Sequence, residues 1–469
     1  MNTDFINHAL RSLLVALSLC AVGFTTPLSQ LAYRTQEESA PETQVKNIIL
    51  MISDGWGYNH IEAASYYRFG EAGSQVYTQF PYRFAMSTYS ADGHGYNPEL
   101  AWSYFDYVKT GATDSAAAAT ALSTGVRVRN RIVGLDVFGR PLRHICERAE
   151  ELGMATGVVT SVPISHATPA GFIAHNSNRY NYLEIAEEMI VESAVDVIFG
   201  AGHPLFDNDG RPVAPPEDPE AYRYVGGEAI WSGLLAGTVG GDADGDGTPD
   251  PWTLIQTKGE FLALAEGPTP KRVLGVATIN RTLQQRRSGV DDDLTDDLPY
   301  QAPPVENVPT LAEISLAALN VLDDDPDGFF LMIEGGAVDW ANEDNQSGRM
   351  IEEQIDFDVA VEAVVRWIEE HSDWNETLLF VTGDHEAGYL TGPGSDPAWE
   401  PIVNNGRGNL PGMEWHVVDR HTNLLIPIFA KGDAARLLAD YADQHDPVRG
   451  PYIDITEVAQ LIFRLLVRP

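Results

Sequence analysis

Basic residues are scarce in this sequence, and lysine is the scarcest of them. The 469 residues include 30 lysines and arginines, only five of them lysine, against 68 aspartates and glutamates, so the formal net charge is −38. A nucleic-acid-binding protein needs a basic face for phosphates, and electrostatic docking on anionic lipid needs one too, so this charge argues against both classes. An acid-rich, lysine-poor surface favours a protein adapted to a salty environment; ordinary solubilising charge is the alternative.

Cysteine is nearly absent, and one of the two cysteines lies in a terminal apolar run. Cys20 falls within residues 12–24, which follow Arg11. This run is shorter than the about 20 apolar residues that a membrane span needs. It is typical of the core of a secretory signal peptide, and an uncleaved anchor is the alternative. After cleavage only Cys146 remains, so we expect no internal disulfide.

These features predict that the chain has three parts. We predict a signal peptide over residues 1–32, a flexible segment over 33–46 and one large folded domain over 47–469. Processing then delivers the protein to the periplasm or the extracellular space, without a stable membrane span.

The remaining apolar residues are gathered in short runs that alternate with helical patterns. These runs are almost continuously apolar, as in strands of a parallel sheet that is covered on both faces. The alternation of strand and helix predicts an α/β fold: a doubly wound, mostly parallel central sheet with helices on both faces. The predicted strands are residues 47–53, 156–161, 195–200, 272–278, 328–334, 378–383 and 425–430.

Residues of metal-ligand type recur where these strands end. In such sheets, ligands bind beyond the carboxyl ends of the strands. An Asp-Gly after a strand is usually only a turn, but a coincidence at five strand ends is harder to explain that way. Carboxylate and imidazole ligands suit zinc, and a set of carboxylate and hydroxyl oxygens suits magnesium. The residues concerned are Asp54, His166, Thr168, Glu334, Asp339, Asp384, His385 and His421.

A second feature is the small-residue stretch from Thr113 to Leu122. Its alanines favour a helix that Gly125 ends, with Thr113 or Asp114 as the cap. Ser115 would then lie at the helix N-terminus, where the dipole and free N–H groups favour an anion. Such a serine could attack a phosphate ester, or it could simply begin a packing helix, and this stretch alone does not separate the two readings.

Together these segments, in this order, resemble the alkaline phosphatase family from about Asn47 to Phe463. TDSAAAATA is similar to the family's nucleophile motif and HATPAGFIAHNSNR to the segment that ends in its phosphate-binding arginine. The resemblance implies that Ser115 becomes phosphorylated and that Arg179 grips the phosphate. Metal ligands follow in the same way: Asp54, Asp384 and His385 for one zinc, Asp339 and His421 for the other, and Glu334 and Thr168, with Asp54 bridging and His166 nearby or ligating, for one magnesium.

The resemblance, together with the predicted signal peptide, therefore implies an exported, metal-dependent alkaline phosphomonoesterase. Its substrates would be small-molecule phosphate monoesters, and inorganic phosphate would leave through a phosphoserine intermediate. A homodimer is also implied. The alternatives are a related phosphodiesterase or sulfatase, or a non-enzymatic phosphate- or metal-binding protein with a decayed site.

Three positions depart from the family pattern. Glu343 stands four residues after Asp339, where the family usually has a histidine. One helical turn would place Asp339 and Glu343 on one face, so we predict that Glu343 ligates the metal. Asp344 is the alternative ligand. If Glu343 instead faces solvent, the site would be defective. His166 replaces an aspartate, so zinc or cobalt could compete with magnesium there. Trp340 replaces a lysine or histidine and would either wall the substrate pocket or pack.

An acidic loop away from these motifs predicts a calcium site. It holds Asp242, Asp244, Asp246 and Asp250 around turn glycines, a pattern that suits calcium. The twelfth position is Thr253 rather than glutamate, so this is not a standard EF-hand. A solvated acidic loop is the alternative.

Overall fold

The predicted strands form the middle of one large mixed sheet. The structure is a computed structural model that describes residues 45–289 and 297–467. The predicted signal peptide, and all but the last two residues of the predicted flexible segment, lie outside the described residues. Within them the strands are β1 (Asn47–Ser53), β2 (Tyr82–Ser87), β3 (Ala155–Pro163), β4 (Val197–Ala201), β5 (Thr253–Ile255), β6 (Val273–Val276), β7 (Phe329–Gly335), β8 (Thr377–Thr382), β9 (Glu386–Ala387), β10 (Leu390–Thr391), β11 (Glu414–Trp415), β12 (His421–Thr422), β13 (Ile426–Lys431), β14 (Gln444–Asp446) and β15 (Gly450–Asp454).

The sheet confirms the predicted fold class. The described strands of the large sheet follow the order β14-β15-β2-β13-β8-β1-β7-β3-β4-β6-β5. All neighbours from β8 to β5 are parallel, as are β15 and β2. The run at 425–430 forms β13, which is antiparallel to both β2 and β8, and β14 is antiparallel to β15. Buried β13 looks like its parallel neighbours in sequence because burial on both faces, not direction, sets the apolar pattern.

Helices cover the sheet in two groups. The described helices are α1 (Tyr58–Phe69), α2 (Pro98–Ser103), α3 (Ser115–Thr124), α4 (Ile145–Glu150), α5 (Ala167–Ala170), α6 (Tyr182–Glu187), α7 (Glu228–Leu235), α8 (Lys258–Glu266), α9 (Leu311–Leu322), α10 (Ala337–Glu343), α11 (Ser347–His371) and α12 (Ile455–Leu465). Helices α8, α9, α11 and α1 contact one another in series, and α9 and α11 pack on the sheet. Helices α3, α4, α5 and α12 form the other group, and α4 and α5 pack on β3 and β7. The described parts of the two groups make no extensive contact with each other although both pack on β3 and β7, as expected for helices on opposite faces of one sheet.

The register of the central strands sets the position of the site. Ile52 of β1 pairs with Glu334 of β7 on one side and with Thr382 of β8 on the other, and Glu334 also pairs with Thr160 of β3. The carboxyl ends of β8, β1, β7 and β3 therefore lie level at one edge of the sheet. Among the described residues, no helix combines the length and the apolar character needed to cross a bilayer.

Helix α11 buries a carboxylate that makes stability depend on pH. Burial raises the pKa of Asp358 from its usual 3.8 to about 7, although Tyr77 and Gln354 donate hydrogen bonds of 2.7 and 3.0 Å to its Oδ1. The folded state thus keeps a proton that the unfolded chain has lost. Between these two pKa values the unfolding free energy should fall by about 1.4 kcal/mol for each pH unit.

We expect Asp358→Asn to remove this fall, because the amide keeps the acceptor oxygen and cannot ionise. Relative to the wild type, the variant should gain stability as pH rises from about 4 to about 7, with no further gain above that range. Denaturant unfolding at several pH values measures this difference. Glu370→Gln, an exposed change on the same helix, is the control. Parallel curves for wild type and Asp358→Asn would contradict the prediction.

Candidate active site

Helix α3 begins at the edge of the sheet with the serine that the sequence singles out. Asp114 is its N-cap: Oδ1 accepts a hydrogen bond of 3.0 Å from the backbone N–H of Ala117. Gly125 ends the helix with φ 72°, a left-handed conformation that glycine adopts without a steric penalty. Ser115 is the first helical residue, and its side chain is buried beside a cavity of about 470 Å³.

The loops after β1 and β8 bring three ligand candidates to Ser115. Nε2 of His385 lies 3.3 Å from Oγ of Ser115, 3.4 Å from Oδ1 of Asp54 and 3.3 Å from Oδ2 of Asp384. One ligand atom from each of Asp54, Asp384 and His385 lies within 4.8 Å of the others. The arrangement could hold one metal ion directly beside the serine oxygen.

A second cluster forms where α10 meets β12. Nε2 of His421 lies 3.5 Å from Oδ1 of Asp339 and 3.1 Å from Oε1 of Glu343. Nδ1 of His421 donates a hydrogen bond of 2.9 Å to the carbonyl of Thr113, because a carbonyl can only accept. In the neutral ring, Nε2 therefore carries the lone pair toward the two carboxylates, an orientation that metal-ligating histidines usually have. Glu343 contacts this cluster through Oε1, while 31% of its side chain remains exposed.

The two clusters are adjacent. The rings of His385 and His421 stack with centroids 3.6 Å apart, and Asp339, His385 and His421 also place ligand atoms within 4.8 Å of one another. Asp344, the substitute for Glu343, instead forms an ion pair of 2.9 Å with Arg286.

The third predicted ligand set is Glu334 and Thr168, with His166 nearby. Glu334, at the end of β7, accepts a hydrogen bond from the Thr160 hydroxyl. The Thr168 hydroxyl is buried without a hydrogen-bond partner among the described residues, and so is Nδ1 of His166. His166 lines the cavity and packs edge-to-face on Trp340 at 5.3 Å. This part of the site is thus polar, buried and only partly satisfied.

Burial raises the pKa of four carboxyls in the site. For Asp54 and Asp339 burial is the largest cause, followed by the charge of a neighbouring carboxylate, Asp384 and Glu343 respectively. The pKa of Asp384 rises to about 7 through burial, and that of Glu334 to about 8 through burial and the nearby Asp54. So many acids packed together are unfavourable in the ionised form unless cations neutralise them.

Unpartnered oxygen atoms show that the residues fit metal ions. Both carboxylate oxygens of Asp54, Oε1 of Glu334, Oδ1 of Asp339 and Oδ2 of Asp384 are buried without a hydrogen-bond donor among the described residues. Leaving such atoms unpaired costs about 1 to 3 kcal/mol each, more when they are charged. Oxygen and imidazole donors converging at two neighbouring points match zinc, and the oxygen-rich set around Glu334 matches magnesium.

Gly55 makes the close approach of β1 and α10 possible. Its φ is 76°, and a Cβ atom there would lie 2.7 Å from both Cα and Oδ1 of Asp339. A side chain at this position would push Asp339 out of the second cluster.

Arg179 lines the same cavity and is held by the helix cap. Its Nη1 is 3.1 Å from Oδ2 of Asp114, so Asp114 both caps α3 and orients the arginine. Burial works against the charge, but Asp114 and Tyr182 more than offset it and raise the pKa of Arg179 above its usual value. The guanidinium is therefore a fixed cation in the same cavity as Ser115.

The cavity also contains residues that sequence reasoning missed. The four arginines among them lie in loops without apolar periodicity, and their one sequence signal is a local excess of arginine over the rest of an acidic chain. Trp340, which was expected to line the pocket or to pack, does both. The missed lining residues include Arg131, Tyr182, Arg281, Arg286 and Arg420.

The acidic loop brings three aspartates together away from the cavity. Ligand atoms of Asp242, Asp244 and Asp246 lie within 4.8 Å of one another, and all three residues are exposed. Lys271 donates hydrogen bonds of 2.9 Å to Asp244 and 3.3 Å to Asp250. An ammonium group thus already neutralises part of the charge that calcium would meet.

Comparison with known proteins agrees with this geometry. The profile of the alkaline phosphatase family matches residues 45–426. Alkaline phosphatase 3 of Bacillus subtilis is 28% identical over 377 residues, which cover 78% of this chain and 67% of that protein. Alkaline phosphatase of Escherichia coli K12 is 26% identical over 443 residues, which cover 87% of this chain and 86% of that protein. The solved cold-active alkaline phosphatase of a psychrophilic Shewanella has a TM-score of 0.63 at 24% identity, covering 90% of this chain and 100% of that one. These matches show a phosphatase, and the chain belongs to the alkaline phosphatase family.

Proposed function

We propose that the protein is an exported, metal-dependent phosphomonoesterase that passes the phosphoryl group to Ser115 and then to water. One observation carries the proposal: Oγ of Ser115 lies 3.3 Å from Nε2 of His385, at a helix N-terminus that faces a cavity shared with Arg179. A nucleophile, a set of metal ligands and a phosphate-binding cation thus meet around one small volume.

The metal ligands divide as the geometry suggests. Asp54, Asp384 and His385 would hold one zinc, and Asp339, Glu343 and His421 the other. Glu334 and Thr168 would form the third group, with Asp54 shared and His166 beside it. The oxygens of this group suit magnesium, and the imidazole of His166 would let zinc or cobalt compete there. When bound, two such ions supply electrostatic stabilisation to the attacking and leaving oxygens of an in-line displacement.

The protein's own groups account for binding and orientation. Arg179 can donate two parallel hydrogen bonds to nonbridging phosphate oxygens, and Asp114 keeps its guanidinium in place. The free N–H groups at the start of α3 and the helix dipole favour negative charge on Oγ of Ser115. Oγ of Ser115 would attack phosphorus first and release the alcohol, and water would then cleave the phosphoserine to release inorganic phosphate.

A comparison of three esters tests the reaction class. At equal enzyme concentration we expect nitrophenyl phosphate to be cleaved faster than bis(nitrophenyl) phosphate and nitrophenyl sulfate, by about a hundredfold or more in kcat/KM. The physical reason is that Arg179 and the ligand clusters are arranged for a compact dianionic group. Faster cleavage of the diester or the sulfate would favour the related hydrolase classes instead. A protein that binds metal but cleaves none of the three would be a decayed binding protein.

The other parts of the proposal rest on the sequence. Export depends on the apolar run at residues 12–24, and the homodimer on the family resemblance. The calcium site at Asp242, Asp244, Asp246 and Asp250 stays a prediction, in which calcium would have to displace Lys271. Nucleic acid is not expected to bind as a partner, since the net charge of −38 opposes it.

A further inference from the structure

The lining of the cavity is unusually rich in arginine. Five of its eighteen described lining residues are arginine, whereas lysine and arginine together make up 30 of the 469 residues of the chain. Phosphate binding by the proposed mechanism uses only Arg179. A protein with a net charge of −38 thus places four further guanidinium groups where a substrate enters: Arg131, Arg281, Arg286 and Arg420.

Among the buried and partly buried arginines of the cavity lining, Arg281 has the least neutralisation by acidic side chains. Within the described residues it forms no ion pair, while Arg179 pairs with Asp114 at 3.1 Å and Arg286 with Asp344 at 2.9 Å. The Nε atoms of Arg179, Arg281 and Arg286 are all buried without a hydrogen-bond partner there. A buried guanidinium N–H without an acceptor is unfavourable, so each of these groups is ready to bind an anion.

Trp340 holds two of these arginines in place. The guanidinium carbon of Arg281 lies 5.0 Å from the centroid of its ring, and that of Arg286 lies 5.6 Å away. Cation–π stacking of this kind orients a planar guanidinium without consuming its N–H donors. His166 packs on the same ring at 5.3 Å, so this wall is continuous with the ligand sets.

Arg281 lines the same cavity as Arg179. The ring of Trp340, whose centroid lies 5.0 Å from the guanidinium carbon of Arg281, also lines this cavity and packs on His166 at 5.3 Å. The volume of the cavity, about 470 Å³, suits a small molecule. A phosphate held by Arg179 would leave its alcohol portion within this space.

We propose that Arg281, with Arg286 beside it on Trp340, forms a second anion subsite. It binds a carboxylate or phosphate on the alcohol portion of the ester, so the preferred substrates are phosphate monoesters whose alcohol carries another anionic group. This inference rests on the proposed function and names its substrate class. The arrangement explains why an acidic protein concentrates arginine here: long-range repulsion of a multiply charged ester is reversed locally.

Matched substrate pairs test the subsite. The first pair is 3-phosphoglycerate and glycerol 3-phosphate, which differ by a carboxylate; the second is fructose 1,6-bisphosphate and fructose 6-phosphate, which differ by a phosphate. For each pair the measured quantity is the ratio of the two kcat/KM values, anionic alcohol over neutral alcohol. We expect ratios above one in the wild type, and a fall of about tenfold in Arg281→Gln, since a charge-assisted hydrogen bond is lost. The pair with the larger ratio identifies the favoured anion.

Two further variants separate charge from packing. Arg281→Lys keeps the charge and should retain a ratio above that of Arg281→Gln. Arg366→Gln removes a charge from an exposed position outside the cavity lining and should keep the wild-type ratio. Binding of the same compounds to Ser115→Ala, measured by calorimetry, reads the preference without turnover.

The outcomes distinguish this inference from the proposed function. A wild-type ratio at or below one for both pairs, or an unchanged ratio in Arg281→Gln, overturns the subsite while leaving phosphomonoesterase activity intact. An equal fall in Arg366→Gln also overturns it, because the effect would then come from net charge. A metal-loaded wild-type protein that cleaves no phosphate monoester overturns the proposed function itself.

Discussion

Ser115→Ala should abolish phosphate labelling of the protein and lower turnover by at least about 10⁴-fold, as expected when a covalent nucleophile is removed. The alanine keeps the helix, because Asp114 still caps Ala117 and Gly125 still ends α3. It removes only the oxygen that lies 3.3 Å from His385. Acid-quenched labelling with radioactive phosphate and a nitrophenyl phosphate assay measure the two effects.

Ser123→Ala is the matched control for this experiment. It makes the same chemical change in the same buried helix, at a residue whose hydroxyl bonds to backbone carbonyls and does not line the cavity. We expect it to retain labelling and turnover. Labelling that persists in Ser115→Ala would show that another group accepts the phosphoryl group and would overturn the assignment of the nucleophile.

The position of the site follows from local signals in the sequence. The strands β1, β7 and β8 are continuous apolar runs, and the ligand candidates Asp54 and Asp384 come directly after two of them. Because parallel neighbours end at one edge, a strand prediction and a list of residues after each strand are sufficient to bring these side chains together. The cap at Asp114 and the stop at Gly125 are equally local, so the start of α3 was also predictable.

Other features depend on contacts between distant segments, and the sequence carries no pattern for them. Arg281 and Trp340 are far apart in the chain and meet only because the loop after β6 packs over α10. Asp114 also holds Arg179, a role that its capping motif does not reveal. The antiparallel direction of β13 is similarly a property of its connections, since burial on both faces produces the same apolar run in either direction.

The acid excess has a different meaning at the surface and in the site. Most of the 68 acidic residues have no role in the proposed chemistry. Four that do are buried, and each has an oxygen without a hydrogen-bond partner among the described residues: Asp54, Glu334, Asp339 and Asp384. Their ionised forms are unfavourable where they lie, and the raised pKa values of Asp384 and Glu334 express this. Under the proposed function, cations would reverse the sign of the local field that a phosphate ester meets: metal ions held by the ligand clusters and the arginines of the cavity lining.

Removal of metal should therefore affect both activity and stability. We expect a chelator to lower turnover by at least about 10³-fold, since the charge of the reacting phosphate would lose its main stabilisation. The melting temperature should fall as well, because Asp54, Glu334, Asp339 and Asp384 again lack partners. A metal held at a hundredfold its Kd adds about 2.7 kcal/mol to the unfolding free energy. Assays and thermal unfolding before and after chelation, and after return of zinc and magnesium, measure both effects.

The variant Glu343→Ala tests whether the second cluster, Asp339, Glu343 and His421, binds a metal ion that activity requires. Oε1 of Glu343 lies 3.1 Å from Nε2 of His421. Burial raises the pKa of Glu343, but the contact with His421 outweighs burial and lowers it, so the carboxylate stays ionised and can bind a cation. We expect the variant to lose metal and activity together, with the second cluster emptied and the first retained, so metal analysis should find one zinc fewer per chain. Asp344→Asn, which alters the neighbouring carboxylate paired with Arg286, should keep the full metal content. Unchanged metal content in Glu343→Ala would remove Glu343 from the ligand set, and full activity after chelation would contradict metal dependence altogether.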